Sequence, residues 1–231
     1  MRTFVAGGAG AIGRQLVPML VAAGRQVTAT TRDPARADWL RSVGAEPVVL
    51  DVLDAEAVRA AVVAARPQAV IHQLTDLSAG FTPEQLRATA RLRRVGTGNL
   101  VAAMVEAGAH RLVAQSGAWL YAEGPLPHAE SDPLRARGPD DMVVSGILEL
   151  ERLTLQTTGI AGIVLRYGFL YGPGTAYAEP RDAGRPRVHV AAAARAAVLA
   201  LDRGSSGAYN IVDDDPTVSN RRARDELGWT P

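Results

Sequence analysis

Three glycines near the amino terminus are spaced in a way that could bind a phosphate group. They form Gly7-x-x-Gly10-x-x-Gly13 after a short apolar run, and apolar residues then recur at helical spacing. Gly7 would allow a tight turn, Gly10 would let phosphates approach the backbone, and Gly13 would let the helix pack closely on the sheet. Free N–H groups and the helix dipole favour an anion at such a helix start. The stretch predicts a dinucleotide pyrophosphate site formed by Gly7, Gly10, Ala11, Ile12 and Gly13.

The rest of the chain alternates strand and helix patterns, which place that turn at the edge of a sheet. Strands are predicted at residues 2–6, 26–31, 47–50, 69–73, 111–115, 161–166, 188–190 and 208–212. Helices are predicted at residues 11–23, 34–43, 55–65, 83–107, 140–157 and 191–202. This alternation predicts a Rossmann-like α/β fold, in which helices cover both faces of a doubly wound parallel sheet. Ligands of such sheets bind at the carboxyl ends of the strands.

The composition argues against several classes of function. The chain has 25 basic and 24 acidic residues, and this balance gives no reason to expect a nucleic acid or a membrane as partner. It has no cysteine, and no apolar run approaches the ~18 residues of a membrane span. Because no signal peptide precedes the first strand, we expect a cytoplasmic protein.

The acidic residues 213–215 are interpreted as a solvated turn, and no metal site is expected. A solvated helix face is the interpretation of Arg87, Arg91, Arg93 and Arg94.

Several motifs together resemble those of the short-chain dehydrogenase/reductase superfamily, in its extended branch of nucleotide-sugar epimerases and dehydratases. The matching stretches are residues 7–13, 51–52, 95–100, 165–168, 171–174, 188–190, 209–211 and 226–229. The resemblance implies an NAD(P)-dependent enzyme for a small carbonyl or sugar-like substrate, and a homodimer formed through a four-helix contact of helices 83–107 and 140–157. Members of the branch usually have a longer C-terminal region. We therefore expect a dinucleotide-binding core at residues 1–170 and a shortened substrate-binding region, interleaved with the last strands, at residues 171–231.

The end of the second predicted strand bears on the choice of cofactor. Relatives that bind NAD usually carry an acid there, whereas this chain has Thr31 followed by Arg32, which suit the 2′-phosphate of NADP. Asp33 could be the acid and would favour NAD, but its place before a proline is better explained by helix capping. The resemblance therefore implies NADP, with NAD as the alternative. It also implies cofactor contacts from Asp51 and Val52 at the adenine and from residues 72–75, including Leu74 and Thr75, at the nicotinamide.

The proton relay of the superfamily is missing from this sequence. Its members use a Ser or Thr with a Tyr-x-x-x-Lys pair, in which the tyrosine transfers a proton during hydride transfer. In the matching helix Met142 and Gly146 stand at the Tyr and Lys positions, and the sequence contains no lysine. Candidate substitutes near the nicotinamide end are Ser116, Tyr121 and His128, although packing would also explain Tyr121 and a surface loop His128.

Three functions therefore stay open. The protein could be an NADP-dependent enzyme with a substitute proton donor. It could instead catalyse a non-redox isomerisation, elimination or cyclisation, or it could be a nucleotide-binding module without catalysis. The intact glycine turn argues for retained cofactor binding, but the fold alone does not select among the three.

Overall fold

The strands of the central sheet are mostly buried on both faces, apart from one edge strand, as a parallel sheet between two helical layers requires. The computed structural model describes residues 1–75, 82–136, 138, 141–180 and 184–231. Its strands are β1 (Arg2–Ala6), β2 (Gln26–Thr31), β3 (Glu46–Val49), β4 (Ala69–His72), β5 (Arg111–Gly117), β6 (Ala161–Tyr167), β7 (Phe169–Tyr171), β8 (Arg187–His189) and β9 (Gly207–Ile211). Parallel pairing joins seven of them in the order β3-β2-β1-β4-β5-β6-β9, while β7 pairs with β8. The predicted Rossmann-like fold is confirmed.

Helices cover both faces of this sheet. They are α1 (Ala11–Ala22), α2 (Ala37–Ser42) after a 3₁₀ turn (Pro34–Arg36), α3 (Ala55–Ala65), α4 (Pro83–Arg91), α5 (Thr97–Ala107), α6 (Met142–Gln156) and α7 (Val190–Asp202). Helices α1 and α7 pack together over one apolar cluster, which includes Val5 and Ile71, and α3 and α5 pack over a second, which includes Phe4 and Val70. Adjacent residues of one strand belong to different clusters, so the two helical layers lie on opposite faces. Within the described ranges, no helix has the length and apolar character needed to cross a bilayer.

The strand order reverses direction beside β1, and this reversal positions the site. Strand β1 pairs with β2 on one side and with β4 on the other. In open parallel sheets, ligands bind outside the carboxyl ends of the strands at such a switch point. The glycine turn that follows β1 and the segment that follows β4 are therefore brought together.

The long helix predicted at residues 83–107 differs from the expectation in one respect. It is interrupted by a π segment at Leu92–Gly96, which joins α4 to α5. The helix predicted at 140–157 begins at Met142, with the Asp141 carboxylate accepting the Val144 N–H at 3.0 Å, and its expected first residue, Asp140, lies outside the described residues. Strand β7 and a second π segment at Ala223–Leu227 were not predicted, because both are too short to give a periodic pattern.

Candidate functional site

The glycine turn between β1 and α1 presents the start of the helix to solvent. Gly7 has a φ of +88°, in the left-handed region that favours glycine. A Cβ added at Gly13 would lie 2.4 Å from the carbonyl oxygens of Gly7 and Gly8, so only glycine lets the helix approach the turn this closely. Gly10 is the N-cap of α1 and has no side chain to accept the first N–H groups. These donors remain available to an anion.

A cleft of about 240 Å³ opens above this turn and runs along the carboxyl ends of the strands. The predicted cofactor residues that line it are Gly7, Gly10, Ala11, Ile12, Thr31, Arg32, Val52, Leu74 and Thr75. Gly13 lies behind the turn, where it serves close packing. Asp51 does not line the cleft, and its carboxylate instead accepts the N–H of Leu53 at 3.0 Å. The structure thus gathers most of the predicted cofactor residues around one cleft.

The end of β2 gives one part of the cleft a basic wall. The Asp33 carboxylate accepts the N–H of Ala35 at 3.0 Å and lies 3.2 Å from Nε of Arg36, as expected of a helix-capping residue. Thr31 Oγ1 accepts the N–H of Asp33 at 3.1 Å, which holds the turn. Arg36 lines the cleft together with Arg32 and was not among the predicted cofactor residues. Its position three residues after the capping acid was the available signal.

The other end of the cleft carries two amide side chains. Nε2 of Gln73 donates to the Tyr167 hydroxyl at 3.2 Å, and Nε2 of Gln115 donates to the carbonyl of Leu74 at 3.0 Å. Burial raises the pKa of Tyr167 above its ordinary value, so its hydroxyl stays protonated. Oε1 of Gln73 is buried and has no hydrogen-bond partner among the described residues. Because buried acceptors are nearly always satisfied, this oxygen fits a ligand that carries an N–H donor, such as a carboxamide.

Ser116 does not face the cleft. Its Oγ donates to Oε1 of Glu151 at 2.6 Å, and Glu151 forms a bidentate pair with Arg166, at 3.0 Å from Nε and 2.8 Å from Nη2. The two charged side chains are only 7% and 6% exposed. Neighbouring residues of a strand point to opposite faces, so Gln115 lines the cleft and Ser116 lies on the side of α6.

Tyr121 and His128 lie together, also outside the cleft lining. Their rings stack with centroids 4.9 Å apart. The Tyr121 hydroxyl donates to Oδ1 of Asn210 at 2.6 Å and accepts from Nη1 of Arg166 at 3.0 Å, while Nδ1 of His128 lies 3.1 Å from Oδ2 of Asp132. Burial raises the pKa of Tyr121. The contacts of these side chains are those of a structural network, and they do not favour the predicted role as proton donors at the nicotinamide.

Met142 and Gly146, which the sequence comparison by motif predicts at the Tyr and Lys positions, lie at a helix start and at a helix contact. Met142 is the first residue of α6 and is 48% exposed. A Cβ added at Gly146 would lie 2.9 Å from the Cα and the carbonyl oxygen of Ala90 in α4. A lysine at this position would therefore push α4 and α6 apart. The close contact between the two helices depends on the glycine.

Two titratable residues lie behind the cleft. Nε2 of His72 is 2.9 Å from Oγ1 of Thr97, and its Nδ1 accepts the N–H of Leu74 at 3.3 Å. Burial, aided by the charge of Arg93, lowers the pKa of His72 to about 4, so this histidine is neutral at pH 7. Arg93 itself is only 9% exposed. The interpretation of the arginine cluster as a solvated face is therefore wrong for Arg93, because the π segment turns this residue inward.

Comparison with known proteins identifies the family. The sequence profile of the NAD(P)H-binding family matches residues 7–203. The chain is 44% identical to the 3-diazoavenalumate denitrifying reductase of a Streptomyces species, over 94% of this chain and 77% of that protein. It is 30% identical to the 4-hydroxy-2-methyl-3-oxo-4-farnesyl-3,4-dihydroquinoline-1-oxide ketoreductase of Stigmatella aurantiaca, over 96% of this chain and 70% of the relative. The crystal structure of a Thermus thermophilus UDP-glucose 4-epimerase in complex with NAD superposes with a TM-score of 0.78 at 25% identity, covering 100% of this chain and 85% of the epimerase.

The family match agrees with the motifs and with the geometry of the cleft. It begins at the first glycine of the turn and extends through the strands that line the cleft. The related reductases match nearly all of the chain. This protein therefore belongs to the NAD(P)H-binding family of the short-chain dehydrogenase/reductase superfamily.

Proposed function

We propose that this protein is an NADPH-dependent reductase of a small, electron-poor organic molecule. The observation that carries the proposal is the cleft, which combines the uncapped start of α1 with Oε1 of Gln73, an acceptor left without a donor by the part of the chain that the structure describes. The names of the two reductase relatives support a redox reaction over the alternatives. The reduced nicotinamide of such a cofactor supplies a hydride when it is bound.

The residues of the cleft suggest how each part of the cofactor would be held. The N–H groups of Ala11 and Ile12 at the start of α1 would bind the pyrophosphate. Arg32 and Arg36 would bind the 2′-phosphate that distinguishes NADP from NAD, since guanidinium groups pair well with phosphate. Oε1 of Gln73 would accept a hydrogen bond from the nicotinamide carboxamide.

Calorimetric titration with NADPH and with NADH tests the cofactor preference. We expect NADPH to bind the wild-type protein about tenfold more tightly than NADH. The variant Arg36→Gln should lose most of this difference. Arg41→Gln is the matched control, because Arg41 pairs with Asp38 at 2.6 Å on the following helix and does not line the cleft. Equal affinities for the two cofactors in the wild-type protein would overturn the assignment of NADP.

The side chains of the cleft favour a substrate that needs no proton from the protein. Asp33 is the only carboxylic acid among the described lining residues, and it is engaged by Ala35 and Arg36 at the basic end. Reduction of a ketone requires a proton for the new hydroxyl group. An aryl diazonium ion does not, since R–N₂⁺ and a hydride give R–H and N₂ with atoms and charge balanced. The name of the Streptomyces relative, a denitrifying reductase of a diazo compound, supports this class of substrate.

A turnover experiment separates the possible reactions. The protein is mixed with NADPH and either 4-hydroxybenzenediazonium or acetophenone, and the absorbance of the reduced nicotinamide is followed. We expect one equivalent of arene and of N₂ for each NADPH oxidised with the diazonium ion, and slow oxidation with the ketone. Gly13→Ala, which should not bind the cofactor, controls for direct chemical reduction. Rapid ketone reduction would contradict the substrate class, and NADPH binding without oxidation in either mixture would favour a non-redox function.

We also propose that the protein forms a homodimer through the face that contains α5 and α6. Three large apolar side chains on these helices are exposed, Val105 by 56%, Met142 by 48% and Leu155 by 37%. Exposed apolar groups on paired helices favour association. Light scattering after gel filtration should give a dimer for the wild-type protein and a monomer for Val105→Asp with Leu155→Asp. A wild-type monomer at micromolar concentration would contradict the proposal.

A further inference from the structure

Arg93 is a buried arginine at the point where the long helix is interrupted. It lies in the π segment Leu92–Gly96, and its exposed fraction is 9%. Its Nε is buried without a hydrogen-bond partner, and across the described ranges it forms no ion pair with a carboxylate. Its neighbours Arg91 and Arg94 are exposed. Because π segments frequently mark functional sites, the inward direction of this one cation calls for an explanation.

A buried guanidinium without a counter-charge is unfavourable for folding. Burial lowers the pKa of Arg93 to about 10, so the group stays charged at pH 7. The charge of Arg93 helps to lower the pKa of His72, and this neutral histidine offers no negative charge to offset it. Such a charge costs stability unless an anion pairs with it.

The contacts around Arg93 place it directly behind the lining of the cleft. The preceding residue, Leu92, lines the cleft. One turn later Thr97 lies 2.9 Å from His72, which is the last residue of β4 and directly precedes the lining residues Gln73–Thr75. One turn earlier Ala90 contacts Gly146 of α6. Arg93 therefore lies between the carboxyl end of β4 and α6, beside the end of the cleft that carries the amide side chains.

We propose that Arg93 binds a carboxylate group of the substrate, so that the molecule reduced is an aromatic or unsaturated carboxylic acid in its anionic form. The substrate role rests on the proposed reductase function. A guanidinium accommodates a carboxylate through two parallel hydrogen bonds, and the low dielectric of a buried site strengthens the pair. Leu74, Leu92 and Leu170, which line the cleft, give the rest of such an acid an apolar wall.

Binding of a simple anion and of its neutral analogue tests the proposal. Cinnamate and cinnamamide are titrated calorimetrically into the wild-type protein, with and without saturating NADPH. We expect cinnamate to bind about tenfold more tightly than cinnamamide. Arg93→Met should remove this difference, and Arg93→Lys should retain part of it. The matched control is Arg94→Met, which removes an exposed arginine from the same helix and should bind both probes as the wild-type protein does.

The melting temperature gives a second readout. Replacing a residue that only stabilises the fold would lower it. Because Arg93→Met removes a buried charge that has no ion-pair partner among the described residues, we expect this variant to melt a few degrees higher than the wild-type protein while it loses cinnamate. If the Met variant does not fold, Arg93→Gln supports the same comparison of probes.

Several results would overturn the assignment. Equal binding of the two probes by the wild-type protein would do so, as would cinnamate affinity that survives Arg93→Met. Weakened NADPH affinity with unchanged cinnamate affinity in that variant would assign Arg93 to the cofactor instead. Failure of the wild-type protein to bind NADPH would contradict the proposed function alone, since cinnamate binding without cofactor still reports on Arg93.

Discussion

Removal of the Glu151 carboxylate should destabilise the protein strongly without affecting the cofactor site. Glu151→Ala leaves the guanidinium of Arg166, which is 6% exposed, without the carboxylate that contacts it at 2.8 and 3.0 Å. It also removes the acceptor of the Ser116 hydroxyl. Breaking a buried pair in this way costs about 3–5 kcal/mol. At about 2–4 °C per kcal/mol for a chain of this size, the melting temperature should fall by roughly 6–20 °C.

A double variant distinguishes loss of the pair from loss of packing. Glu151→Leu combined with Arg166→Met removes both charges and keeps apolar volume, and it should recover most of the stability lost in the single variant. Urea unfolding of the single and double variants measures the coupling between the two positions. A double variant as unstable as Glu151→Ala would show that the burial of charge does not explain the loss.

Glu151→Ala and two single variants test whether Ser116 and Tyr121 act in catalysis. Neither residue lines the cleft, so the NADPH affinity of folded Glu151→Ala should stay within about twofold of the wild-type value. Ser116→Ala and Tyr121→Phe should likewise keep turnover while they lower stability. A loss of turnover at unchanged stability would refute this reasoning and restore the two residues as candidates for proton transfer.

Three further predictions concern the cleft and the groups behind it. Gly13→Ala should abolish cofactor binding in a calorimetric titration because its Cβ would lie 2.4 Å from two carbonyl oxygens, whereas Gly98→Ala, where the Cβ meets nothing within 4 Å, should bind as the wild-type protein does. Thr31→Asp should shift the ratio of the NADPH and NADH dissociation constants towards NADH, since a carboxylate there would repel a 2′-phosphate; an unchanged ratio would argue against contact at this position. His72 has a folded pKa of about 4, below the ordinary 6.5, so the unfolded state binds more protons between these values and stability should fall as pH drops through this window. The free energy of unfolding should fall by at most about 3 kcal/mol. Urea unfolding should give a smaller difference in this free energy between pH 7 and pH 5 for His72→Gln than for the wild-type protein. An equal difference in the two proteins would contradict a lowered pKa of His72.

The regular elements of this fold follow from the sequence because local chemistry sets their limits. Strand β2 occupies the predicted residues 26–31, and α3 occupies the predicted residues 55–65. The carboxylate of Asp54 caps α3 by accepting the N–H of Ala57 at 3.0 Å, which is a signal carried by adjacent residues. The glycine turn likewise places Gly7, Gly10, Ala11 and Ile12 of the predicted cofactor residues on the cleft, because its geometry depends on residues within one turn of each other.

The directions of individual side chains at the site depend on contacts distant in the sequence. Gln115 and Ser116 are neighbours near the end of β5, and only the packing of α6 against one face shows that Gln115 lines the cleft. Arg93 lies within a run of arginines that reads as a solvated face, and only the π segment turns it inward. A π segment has no local sequence pattern, since it depends on what each half of the helix must contact.

The π segment lets α4 and α5, the two halves of the long helix, face directions that one continuous α-helix would not allow. A π turn holds one residue more than an α turn, and one residue corresponds to about 100° of rotation around the helix. Deleting a residue between Leu92 and Gly96 would restore a continuous α-helix, which could keep either the contact of Ala90 with Gly146 or that of Thr97 with His72, but not both. The π segment therefore sets the rotation of α4 about the helix axis relative to α5. Length changes within these five residues would select a new inward-facing side chain from α4 while the anchorage of α5 to the sheet, and with it the glycine-lined half of the cleft, stays in place.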